Sequence, residues 1–156
     1  MRRYVMTQAI LAAGIIVAAD LFAASGALAI GLGDGKACAS SEANPYQGTY
    51  RWRSGSSPER IRFWFDHTEP GGKNTLKASG GGIYLSAPPT RIAIRATIDL
   101  KTGRIEIWES HPSRAAFETN GSHVGTISAD RCSIRAVWTT RNTGQKGDLT
   151  LDIKRK

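Results

Sequence analysis

From residue 48 onward the chain is organised by a period of two. Tyr50 and Trp52 share one parity while Thr49, Arg51 and Arg53 share the other, the alternation of a strand with one face in a core and the other in water. Ile61, Phe63 and Phe65 repeat it against Arg62 and Asp66, and Ser54-Gly55-Ser56-Ser57-Pro58 reads as the turn between the two runs. The longest alternation follows Pro88-Pro89, where Ile92, Ile94, Ala96 and Ile98 oppose Arg91, Arg95, Thr97 and Asp99. Lys101-Thr102-Gly103 then reads as a hairpin loop whose glycine takes the position of positive φ, and Ile105 and Ile107 resume the apolar face. These two strands are therefore antiparallel neighbours. Near the end, Cys132, Ile134, Ala136 and Trp138 alternate with Ser133, Arg135 and Thr139, residues 142–148 turn, and Leu149, Leu151 and Ile153 close the pattern. Shorter runs at 76–78, 83–85 and 123–128 predict further strands, with Gly80-Gly81-Gly82 permitting a bend or bulge between the first two.

Helical period is missing after the first thirty residues, apart from one short turn of helix at 113–118. A polar second face on each strand predicts antiparallel rather than buried parallel sheet. The expected fold is therefore all-β: a small antiparallel meander barrel of about eight strands, since closure removes exposed edges. A two-sheet β-sandwich is the alternative. An outer-membrane barrel is disfavoured, because its strands run about 9–11 residues with an apolar outward band, whereas the second face here carries arginine.

The first residues follow another pattern. Arg2 and Arg3, the apolar run at 9–19 and Ala27-Leu28-Ala29 predict a signal peptide over 1–29, a signal helix cut after the small-x-small triplet. The apolar run ends at Asp20, short of the roughly 20 residues of a spanning helix, so cleavage is preferred to an anchor and no stable membrane insertion follows it. Residues 30–47, rich in Gly, Ala and Ser, predict a flexible N-terminal arm, and residues 48–156 a single β-barrel domain. The expected location is the periplasm or the extracellular space. Cys38 and Cys132 are the only cysteines, and in an oxidising compartment an even count predicts one disulfide, which would pin the arm to the domain.

Charge adds a candidate surface. The chain has 21 Lys and Arg against 13 Asp and Glu, a net charge of +8. Arg51, Arg53, Arg62, Arg91, Arg95 and Arg135 all take the polar parity, and Trp64 and Trp108 join that parity beside Arg62 and Glu106. A basic stripe with interleaved Trp suits a phosphate-rich or otherwise anionic polymer, and Arg62, Trp64, Arg95, Trp108 and Arg135 are its candidate binding residues. The competing reading is that the protein's own arm or loops cover the two off-phase tryptophans. An interior rich in Ile, Phe and Trp also suits a small apolar ligand. The leading expectation is thus a non-enzymatic binding protein for a small apolar ligand or an anionic envelope polymer. Nucleic acid is not expected as a partner of an exported protein.

Catalytic signals are sparse, and no catalytic residue is assigned. His67, His111 and His123 have no metal-ligand spacing, so neither metal nor cofactor is expected. Gly31-Leu32-Gly33-Asp34-Gly35-Lys36 superficially resembles a nucleotide loop but follows the leader rather than a strand. The enzyme alternative is a cell-wall or polysaccharide hydrolase using carboxylates among Glu106, Glu109, Glu118 and Asp130, chiefly Glu106, Glu109 and Asp130.

One local pattern adds a further alternative. Ala78-Ser79-Gly80-Gly81-Gly82-Ile83-Tyr84, followed by Trp108 and Ala115-Ala116-Phe117, resembles the S-G-x-x-Y loop and following W…A pattern of the periplasmic and membrane-bound inhibitors of C-type lysozymes. The resemblance implies a small exported β-barrel with a protein partner and places Ser79 and Tyr84 in an inhibitory loop. The tyrosine stands one place later than in that family, the interval to Trp108 is longer, and the chain is basic.

Overall fold

The computed structural model describes residues 37–154; the signal peptide at 1–29 and the arm as far as residue 36 lie outside the described residues. Eight strands follow in order: β1 (Tyr46–Trp52), β2 (Glu59–Gly72), β3 (Thr75–Tyr84), β4 (Thr90–Asp99), β5 (Arg104–Ser110), β6 (Gly121–Ile127), β7 (Ser133–Thr140) and β8 (Lys146–Asp152). Each pairs antiparallel with its neighbours in sequence, and β8 returns to β1 through pairs from Gln47↔Asp152 to Trp52↔Gly147. The sheet is a closed barrel, not a sandwich. Closure gives every strand two partners and leaves no edge to pair with another chain.

The predicted parities decide what lies inside. Ile61 and Phe63 from β2, Ile92, Ile94, Ala96 and Ile98 from β4, Ile105 and Ile107 from β5, Ile134, Ala136 and Trp138 from β7, and Leu149 and Leu151 from β8 form one buried cluster. Each large side chain in it contributes roughly 1.5–3 kcal/mol of burial. The hairpin at residue 103 is as the sequence predicts: Gly103 has φ of 71°, and the Asp99 carboxylate accepts from the backbone N–H groups of Lys101 and Thr102 at 2.8 and 2.9 Å.

Two strands differ from their sequence patterns. The short runs at 76–78 and 83–85 are a single strand, β3, that passes straight through the three glycines. The reason is close approach: a Cβ at Gly81 would enter the Trp64 indole and one at Gly82 the Phe63 ring, both from the neighbouring strand. The irregularities lie instead on β2, between Phe65 and His67 and between Pro70 and Gly72. β2 also runs on to Gly72, through residues 66–72 that are all exposed and so carry no alternation. Backbone pairing to β3 holds that extension.

The barrel has two distinct ends. Loops 53–58, 85–89, 111–120 and 141–145 gather at one, and the β2–β3, β4–β5 and β6–β7 turns at the other. Residues 37–40 lie against the second end, and Glu42 reaches Arg91 near the start of β4. Cys38 is disulfide-bonded to Cys132, with Cα atoms 5.0 Å apart; its N–H donates to Asp130 O at 2.8 Å, and Ser40 Oγ accepts from the Phe65 N–H at 2.9 Å. β1 begins at Tyr46, within the span predicted as arm, because Tyr46 takes the same inward parity as Tyr50. The disulfide is consistent with an oxidising, exported compartment.

Candidate functional site

Antiparallel register lines up four outward side chains that are far apart in sequence. His67 pairs with Ser79, Ser79 with Arg95, and Arg95 with Trp108, so one row crosses β2, β3, β4 and β5. Around this row lies a groove of about 660 Å³, to which Lys77, Glu69, Ser110 and His111 also contribute. Arg95 is exposed and Trp108 half-buried. Among the described residues Arg95 makes no ion pair. His111 holds a left-handed backbone with φ of 49° at the groove's rim, a conformation uncommon outside glycine and found preferentially at functional turns.

The other arginines of the predicted stripe are dispersed. Arg53 donates three hydrogen bonds to Asp148 and holds that carboxyl below the usual carboxylate range. Arg91 meets Glu42 at 3.3 Å. Arg135 meets Asp152 at 2.9 Å and donates to Leu151 O at 2.8 Å, three strands further round the barrel from Arg95. Arg62 is exposed on the row Arg62↔Ile83↔Arg91. That row is four residues along β3 from Ser79, about 13 Å. The five candidate binding residues are therefore not one surface: Arg95 and Trp108 are adjacent, Arg62 stands apart, and Arg135 is elsewhere.

Trp64 is correctly read as off-phase but is not presented to a ligand. Its indole occupies the space a side chain at Gly81 would take, and it is 7% exposed. Gly81 on the strand opposite supplies part of the cover, and Ser40 of the arm is hydrogen-bonded to the backbone of the next residue, Phe65. Ser79 and Tyr84 also separate. Both belong to β3, which is paired on both sides, so neither sits in a loop; Ser79 faces the groove and Tyr84 is buried in the barrel.

The barrel interior brings together polar side chains whose burial the sequence reading did not foresee. Glu109 Oε1 accepts from the Tyr84 hydroxyl at 2.6 Å and lies 2.8 Å from His123 Nε2, with both side chains of the His–Glu pair essentially inaccessible. The signal was parity: Glu109 continues the inward positions of Ile105 and Ile107. Burial first, and the Glu109 charge second, push the Tyr84 and Tyr50 hydroxyls well above the usual phenol range. Both remain hydrogen-bond donors at any physiological pH.

Of the other carboxylates of the hydrolase alternative, Glu118 lines the same cavity as Glu109, whereas Glu106 and Asp130 lie elsewhere. Glu106 faces outward toward Arg104 and Ser122. Asp130 lies in the β6–β7 turn at the disulfide end, where its carboxylate accepts from Ser128 Oγ and the Cys132 N–H. Among the described residues no group of three or more His, Cys, Asp or Glu side chains is placed to hold a metal ion.

Fold and site together define a closed up-and-down barrel with a packed interior and an external groove. The sequence matches no protein-family model and no curated protein.

Proposed function

We propose that this is a non-enzymatic binding protein of the periplasm or extracellular space that holds an anionic envelope polysaccharide in the groove along β2–β5. The observation that carries this reading is the cross-strand pair Arg95↔Trp108 at the centre of a groove of about 660 Å³. An unpaired guanidinium attracts a phosphate or carboxylate group, and the indole beside it offers a flat apolar surface for a sugar ring. Lys77, His67 and His111 lie in the same groove, with Glu69 the one acidic member of its lining among the described residues. The interior offers less room to a small apolar ligand: Phe63, Ile105, Ile107, Ile134, Leu149 and Leu151 fill the barrel and are at most 1% exposed, whereas ligand pockets usually span about 300–1,000 Å³.

The test is retention of the exported protein on immobilised heparin and lipopolysaccharide across a salt gradient. Retention should fall steeply between about 50 and 500 mM salt as screening shortens the reach of the charges. Arg95→Ala and Trp108→Ala should each elute earlier than the parent, while Arg135→Ala, whose guanidinium is already paired to Asp152, should elute with it. Equal retention of all four proteins, or retention indifferent to salt, would remove this reading.

A further inference from the structure

At the barrel end away from the disulfide, a cavity of about 190 Å³ opens beside Glu109. We infer that it is a binding site for a small protonated amine, recognised by an aromatic wall and buried carboxylates. The wall is continuous. The Tyr50 ring meets Trp52 edge-on at 5.2 Å and Tyr84 at 6.0 Å, and Tyr84 meets Phe117 at 4.7 Å. All four residues line the cavity. Aromatic faces attract a cation within about 6 Å of the ring centroid, and do so more strongly when it is shielded from water.

The charges favour the same class of ligand. Among the described residues Glu59, Glu109 and Glu118 line the cavity, and no Lys or Arg does. Among the described residues none of the three carboxylates has a Lys or Arg nitrogen within 4 Å. His123, behind Glu109, supplies at most one positive charge against the three. Two polar atoms are also unmatched. Among the described residues, Tyr50, 4% exposed, has no hydrogen-bond partner for its hydroxyl, and Glu59 Oε1 is buried without a hydrogen-bond donor. A buried acceptor left without a partner costs about 1–3 kcal/mol, more when charged.

An ammonium N–H would satisfy Glu59 Oε1, which selects an N–H-bearing amine over a quaternary one. The volume corresponds to about six water-sized groups at roughly 30 Å³ each, which limits the ligand to a short alkylammonium. Phe117 reaches the cavity from loop 111–120 and is half-buried, so the aliphatic part of the ligand would enter beneath it. The same chemistry is carried by a free amine and by the lysine side chain of a partner protein.

The experiment is calorimetric and fluorescence titration of the exported protein at pH 7.5 with n-butylammonium chloride, using tetramethylammonium, n-butanol and sodium chloride as comparators. Saturable binding of n-butylammonium, at least tenfold tighter than either organic comparator, is the expected result. Nα-acetyl-lysinamide, run in parallel, distinguishes the sources: equal or tighter binding assigns the site to a partner's lysine, weaker binding to a free amine. Glu59→Gln should weaken n-butylammonium at least tenfold, and Arg95→Ala in the outer groove should leave it unchanged. Should Glu59→Gln fail to fold by circular dichroism, Phe117→Ala in the surface loop serves instead, with the same direction expected. Absence of saturable binding, equal response to n-butanol, or affinity unchanged in the cavity variant would overturn the inference. Because the polysaccharide groove lies on a different face, either result leaves the retention experiment independent.

Discussion

Removing the Cys38–Cys132 bond tests how the barrel is held shut at its arm end. The cysteines are 94 residues apart, and the bond ties a segment preceding the first strand to the turn between β6 and β7. In the chain-entropy model a loop of that length restricts the unfolded state by about 4.6 kcal/mol at 25 °C. The native state replaces little of this. Without the bond, the arm keeps its hydrogen bonds from Cys38 to Asp130 and from Phe65 to Ser40, at roughly 0.5–1.5 kcal/mol each. If the arm lifts, those are lost and its backbone entropy is regained, so the two changes offset one another. The Cys38→Ala/Cys132→Ala variant should therefore lose about 3–5 kcal/mol of unfolding free energy, a large share of the roughly 5–15 kcal/mol of a typical domain. Urea titration followed by tryptophan fluorescence measures this: at a slope near 2 kcal/mol per M, the midpoint should fall by about 2 M. The slope itself should rise, because an uncrosslinked unfolded chain exposes more surface. A midpoint lowered by less than about 0.5 M, with the slope unchanged, would refute the reasoning.

Further outcomes follow from other parts of the fold. Gly81→Ala should drive the Trp64 indole off its seat, red-shift its emission and cost about 1–3 kcal/mol of lost burial; in a Trp64→Ala background the same change should cost far less, and equal costs in both backgrounds would contradict the packing described. Phe63→Ala, at a side chain with no exposure and edge contacts to Tyr84 and His123, should destabilise by about 3–5 kcal/mol in the same urea assay. Tyr46, Tyr50 and Tyr84 all have hydroxyls raised above the ordinary phenol value of 10.0, chiefly by burial. A raised folded value means that the native state holds the proton more tightly. The stability linked to it is complete below pH 10 and is lost as pH rises above that, at about 1.4 kcal/mol per pH unit for each tyrosine. Tyrosinate absorbance at 295 nm from these residues should thus appear together with loss of the β-sheet circular dichroism signal; ionisation of all three in a folded barrel would contradict their burial.

Much of this was legible in the local pattern. Alternation at Ile92–Ile98, Ile105–Ile107, Ile134–Trp138 and Leu149–Ile153 specified which side chains point inward, because successive residues of any extended backbone point to opposite faces. The loop at Gly103 and the pairing of the only two cysteines were likewise readable, the first from a local φ requirement and the second from count and compartment. Tertiary structure decided what depended on residues remote in sequence. Closure required β8 to find β1. The continuity of β3 depended on rings from β2 lying over its glycines, and the length of β2 on a partner rather than on its own composition. The row His67, Ser79, Arg95 and Trp108 exists only because register places four strands side by side, while the same register carries Arg135 to another face and leaves Arg62 apart. Glu109 shows the boundary between the two kinds of information. Its parity, shared with Ile105 and Ile107, was sufficient to put a carboxyl group inside the barrel, but only the folded chain brought Tyr84 and His123 to it, since a buried polar group is tolerated where distant strands deliver the hydrogen-bond partners that replace water.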